Sequence, residues 1–131
     1  MGAWGHGNFD NDDALDWIYE LQEALDTSAV VAALARVIDE SADYLEAPEC
    51  SSALAAAEVV AALNGKPASS LPEEVTTWIK GKAKPDSALL AKARRAVDTV
   101  LDDSELKDLW KVDEDLGAWG QTVEDLKVRL S

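Results

Sequence analysis

CSSALAAAEVVAAL, spanning Cys50 to Leu63, is the one segment of this chain that is apolar on every side. Only Ser51, Ser52 and Glu58 interrupt it. A helix with an apolar stripe lies on a surface, whereas a helix that is apolar all round belongs inside. Its alanines carry little bulk, so neighbouring elements can approach closely. Asn64-Gly65 supplies a C-terminal stop, with Pro67 just beyond it. On the other side, Pro48 is expected to break the chain before the helix begins. The segment is therefore read as the centre of a bundle.

The flanking sequence supplies amphipathic rods to surround it. Ala14, Trp17, Ile18, Leu21 and Leu25 recur at three- and four-residue steps and predict a helix from about Asp12 to Leu25. Thr27 or Ser28 caps a second helix, ending near Leu45, with Val30, Leu34, Val37 and Ile38 inward. Beyond the central segment, Ser70-Leu71-Pro72-Glu73 reads as a capping box that opens a brief helix with Val75, Trp78 and Ile79 inward. Gly81 ends it. Pro85 and Asp86 open a helix carrying Leu89, Leu90, Ala93, Val97, Val100 and Leu101. Ser104 or one of its neighbours caps a short one carrying Leu106, Leu109 and Trp110. A last helix carries Leu116, Trp119, Val123, Leu126 and Leu130. No segment alternates at two-residue spacing with β-branched enrichment, so no sheet is expected. The fold class is all-α: a single domain over residues 1–131, with six or seven helices around the buried Ala-rich one.

Charge is distributed unevenly. Residues 1–65 hold 13 acidic residues and one basic one, Arg36, while residues 66–131 hold 13 acidic and 11 basic residues. The net charge of -14 argues against nucleic-acid phosphates or anionic lipid as partners, since both attract basic surface. It favours a basic protein partner. The single cysteine, Cys50, excludes an intramolecular disulfide and points to a reducing, cytoplasmic setting. No run is long and apolar enough for a membrane span, and no leader is expected.

The opening, AWGHGNFDNDDALDW from Ala3 to Trp17, is the least generic stretch. Gly5 and Gly7 predict a bent loop, and Asp10 and Asn11 are good caps for the helix that follows. Trp4 and Phe9 are read as anchors of an aromatic N-terminal arm packed on the bundle, with a partner loop as the competing reading. The pattern Met1-Gly2, Trp4-Gly5, Gly7, Phe9, Asn11-Asp12, Ala14, Asp16-Trp17 resembles the opening of an uncharacterised bacterial family, a domain of unknown function. Looser similarity extends to the helix around Glu58, to Trp78 and to Leu109-Trp110. That resemblance implies no activity.

Several residue groups bear on chemistry. On the first helix Asp13, Asp16, Glu20 and Glu23 form a stripe of like charges with no lysine or arginine to relieve them. Together with Trp4 and Phe9 they are the candidate partner-binding residues. The function expected is that of a non-enzymatic module binding a basic protein, in the manner of an immunity protein or a nucleic-acid mimic. The alternative is a small metal-dependent hydrolase using His6 with the Asp10–Asp16 carboxylates, or Glu58. The acidic run departs from a calcium-loop template, and a lone histidine does not make a zinc site, so no metal or other cofactor is assigned. The three opening glycines lack the strand and lysine of a phosphate cradle. Glu58, alone on its apolar helix, is a candidate buried polar site. It is expected to accept from a tryptophan indole, a lysine or Arg36 rather than to act as an acid or base. Cys50 would need His6 to become a nucleophile, and Glu46 and Glu49 oppose its ionisation. The basic stretch Lys80, Lys82, Lys84, Lys92, Arg94 and Arg95 is read as an ordinary solvated face.

Overall fold

A computed structural model describes residues 7–24, 26–39, 44–112 and 116–131. Trp4, His6 and the glycines before Gly7 lie outside the described residues, as does Leu25. The described residues form seven helices: α1 (Asp12–Glu23), α2 (Ser28–Asp39), α3 (Ala47–Leu63), α4 (Glu73–Ile79), α5 (Ser87–Asp102), α6 (Glu105–Val112) and α7 (Leu116–Arg129). No strand occurs among them.

The central position expected for the Ala-rich segment is the one it occupies. α3 packs against each of the other six helices. From Ala53 to Leu63 every residue is buried, including Glu58. Covering large aliphatic side chains such as Leu54, Val59 and Val60 stabilises the fold by roughly 1.5–3 kcal/mol each. The other helices present one apolar face inward: Ala14, Trp17, Ile18 and Leu21 from α1; Val30, Ala33, Leu34 and Val37 from α2; Trp119, Val123 and Leu126 from α7. Phe9 joins the same core.

The ends of the helices follow from their sequence. Asn11 caps α1 by accepting from the Ala14 amide at 2.8 Å, and Asp86 caps α5 by accepting from Leu89 at 2.8 Å. Ser104 Oγ accepts from the Lys107 amide at 3.1 Å and so starts α6. α3 ends in a Schellman turn. The Lys66 amide donates to Ala61 and the Gly65 amide to Ala62, with Gly65 at φ 82, a conformation glycine reaches without steric cost.

The second helix does not reach Leu45: α2 spans Ser28–Asp39, and Tyr44 and Leu45 lie in the non-helical stretch before α3. Two further local expectations fail for physical reasons. Pro48 does not break the chain ahead of α3 but sits in its first turn, where a helix lacks an acceptor for the missing N–H anyway. The start of α3 is secured from elsewhere: Glu105 Oε1 accepts from the Ala47 amide at 2.9 Å, and Leu45 O from the Glu105 amide at 2.9 Å. The capping box at Ser70 does not form. Pro72 is itself the N-cap of α4 and no side chain caps that helix, because the helix starts later than a cap at Ser70 requires.

Candidate functional site

α1 divides cleanly into two faces. Its apolar face is buried, while Asp12, Asp13, Asp16, Glu20 and Glu23 are exposed. Among the described residues none of these five carboxylates takes part in an ion pair. Asp13 has its pKa raised, first by partial burial and then by the charges of Asp16 and Asp12. The helix thus carries like charges within one turn of one another, a net cost that nothing on the helix offsets.

A groove of about 430 Å³ runs beside this face between α1 and α2, above α3. Its walls include Trp17, Ala29, Ala32 and Ala33, and its rim carries Glu20, Asp39 and Glu49. Arg36, the sole basic residue of the first half of the chain, also lines it and pairs with Glu49 at 3.3 Å. Small side chains admit a closely packed partner, and the rim is predominantly negative.

Glu58 has three donors. Arg129 donates from both terminal nitrogens, at 2.7 Å to Oε1 and 3.1 Å to Oε2, and Asn8 Nδ2 donates to Oε2 at 2.8 Å. Arg129 also donates Nε–H to Asp125 at 2.9 Å and a terminal N–H to Lys66 O at 3.3 Å. Burial disfavours the guanidinium charge, but hydrogen bonds and charge from Glu58 and then Asp125 outweigh it, and the Arg129 pKa lies above its ordinary value. Glu58 is only 2 % exposed, so this bidentate pairing meets the condition under which a buried charge is tolerated. Sequence alone points to an indole, a lysine or Arg36 as the donor to Glu58. Arg129 and Asn8 serve instead, because α7 and the loop before α1 both reach the middle of α3, while Arg36 turns to Glu49.

Asn8 is held on one side only. The residue is 7 % exposed, and among the described residues Oδ1 has no hydrogen-bond partner. Turning the amide round would set Oδ1 against the carboxylate, which can only accept. An acceptor left unpaired in the interior costs about 1–3 kcal/mol. Asn8 lines an open cleft of about 510 Å³ together with Glu58, Asp10 and Arg129. It also lines a separate cavity of about 150 Å³, where Asn11 and Asp13 meet Leu54 of α3, Trp110 of α6 and Trp119 of α7.

The sequence profile of a domain of unknown function, DUF4259, matches residues 2–122. The chain belongs to the DUF4259 family. No curated protein and no solved structure shows significant similarity to it.

In this DUF4259 chain Phe9 is 7 % exposed and packs in the core, so it anchors the loop instead of offering a contact surface. Trp4 and His6 fall outside the described residues. Among the described residues no group of three or more His, Cys, Asp or Glu side chains is placed to hold a metal ion. Cys50 is fully buried, and its thiol pKa is pushed up to about 11, chiefly by burial. That is the reverse of an activated nucleophile. In the basic stretch, Arg94 donates to Leu130 O at 2.7 Å and Lys82 lies 4.6 Å from the centre of the Trp78 ring. Neither pairs with a carboxylate of α1. No helix among the described residues is long and apolar enough to cross a membrane.

Proposed function

We propose that this DUF4259 chain is a non-enzymatic, cytoplasmic protein-binding module that receives a basic partner on the acidic face of α1 and the adjoining α1–α2 groove. The observation that carries this reading is the set of five exposed carboxylates on α1 with no ion pair among the described residues. Like charges at helical spacing destabilise a helix, and a cationic partner would relieve them. Such a surface speeds encounter with a basic protein and repels nucleic acid. The groove adds apolar, small-residue area beside the charges, which gives a partner something to bury.

Glu58, the residue best suited to an acid–base role by its burial, has both oxygens engaged by Arg129 and Asn8. That supports a structural assignment and weakens the hydrolase alternative. The test is affinity capture from cell extract with the wild-type chain and with an Asp16→Lys/Glu20→Lys variant, at low and high salt. A partner retained by the wild type, released by salt and lost in the variant supports the proposal. Retention of the same partner by the variant would refute it.

A further inference from the structure

We propose that the groove lined by the α1–α2 connection, the end of α3 and the start of α5 binds the anion of a free aliphatic carboxylic acid. Its volume, about 540 Å³, falls within the range of small-molecule sites. Val31, Leu63, Pro85, Ala88 and Leu89 give it apolar surface. Its charge is what sets it apart. The groove beside α1 and the cleft at Glu58 each carry more carboxylates than cations. Here the balance is reversed, with Lys82, Lys84 and Lys92 against Asp26 and Asp86.

Both aspartates are already engaged at helix starts. Asp26 Oδ1 accepts from the Ser28 amide at 3.0 Å, and Asp86 caps α5. Lys82 is engaged as well, since it donates to Trp78 O at 3.2 Å and lies over the Trp78 ring. Exposed Lys84 and half-buried Lys92 have neither a hydrogen bond nor an ion pair among the described residues. An apolar groove with two cations lacking a counter-ion calls for a ligand that is apolar along its length and anionic at one end. A hydrocarbon would leave the lysines unpaired, and phosphate would leave the apolar surface uncovered. An acidic protein segment would bring several negative charges up to a chain of net charge -14. A fatty-acid anion brings a single one. The lysine stems can cover its alkyl chain while their ammonium groups reach its carboxylate. This site stands apart from the acidic-face reading, since a chain that captures no protein at α1 can still bind a carboxylate here.

The test is titration of the full chain with sodium decanoate, below its micelle-forming concentration, at neutral pH and physiological salt. Calorimetry measures affinity, and amide NMR shifts locate the ligand. The expected result is saturable binding that moves the amides of Lys84, Ala88 and Lys92 and leaves those of α1 in place. Hexanoate should bind more weakly by about tenfold or more, because less apolar area leaves water. Decyltrimethylammonium, with the same tail and a positive head that accepts no hydrogen bond, should be weaker by a similar factor. The variant Lys84→Gln/Lys92→Gln keeps both aspartate caps and is expected to weaken decanoate by about tenfold. Lys111→Gln, on α6 and outside the groove, should bind it unchanged. Failure of decanoate to saturate overturns the proposal, as does unchanged binding by the double-glutamine variant. Decyltrimethylammonium binding as tightly as decanoate also overturns it, since the lysines would then select nothing. Saturable binding of an acidic amphipathic peptide in place of decanoate overturns it too, and assigns the groove to a protein segment.

Discussion

α3 and α1 treat charge in opposite ways. α3 carries Glu58 in the interior and surrounds it with three hydrogen bonds from two distant parts of the chain. α1 carries five exposed carboxylates and gives none of them an ion pair among the described residues. A buried charge without partners would unfold a small domain, so its pairing is enforced by the fold. Exposed like charges cost only tenths of a kcal/mol each, so a chain can keep them at little loss. The first pattern is explained by stability. The second is not, and that is the reason for proposing a partner on α1.

The contrast between the two helices breaks most visibly if Arg129 is removed. Arg129→Ala leaves Glu58 buried beside a single neutral donor, and a loss of about 3–5 kcal/mol in urea unfolding is expected. The double variant Arg129→Ala/Glu58→Ala should lose less than the two single losses added together. A cost for Arg129→Ala near that of an exposed pair, below about 1 kcal/mol, would show that the network is not structural.

A second effect comes from the thiol at the start of α3. An unfolded chain releases the Cys50 proton near the ordinary value of 9.0, whereas the folded chain holds it to about 11. Between those values the folded state binds more protons than the unfolded one, so stability falls as pH rises through that window. The loss approaches about 2 kcal/mol at its upper end. Subtracting the stability curve of Cys50→Ala isolates this effect from other alkaline titrations. A difference that stays flat from pH 9 to 11 would contradict it.

Smaller effects belong to α1. Asn11→Ala removes the side chain that accepts from Ala14, and a loss of about 1 kcal/mol is expected in the same unfolding assay. Glu20→Lys should go the other way. It places a lysine four residues after Asp16 and three before Glu23, turning repulsion into attraction, and a gain of about 0.2–0.5 kcal/mol follows. A clear loss of stability would mean that Glu20 has a structural partner after all. A stabilising change that abolishes partner capture would separate what α1 does for the fold from what it does for binding.

Most of the fold was legible because it depends on short-range pattern. The all-round apolar composition of Cys50–Leu63 announces a central helix, and the three- and four-residue spacing of Trp17, Ile18 and Leu21 announces a face turned toward it. Caps at Asn11, Asp86 and Ser104 act within three residues, so they too can be read directly. The misses are of two kinds. Pro48 and Ser70 failed because a proline within the first turn and a cap before a proline each depend on where the helix begins, and sequence leaves that start uncertain by a residue or more. The partners of Glu58 failed because Arg129 is 71 positions away and Asn8 is 50, and helical periodicity says nothing about such pairings. The stripe of carboxylates on α1 was visible at once. The alanine-walled groove beside it was not, since it requires knowing that α2 leans on α3.

The most direct measurement is site-specific photocrosslinking in cell extract, with a benzophenone side chain at position 20 on α1 or at position 95 on the exposed side of α5. A protein adduct from position 20 that disappears at high salt, and none from position 95, is the predicted result. Equal adducts from both positions, or adducts from 95 alone, would contradict a partner site on α1.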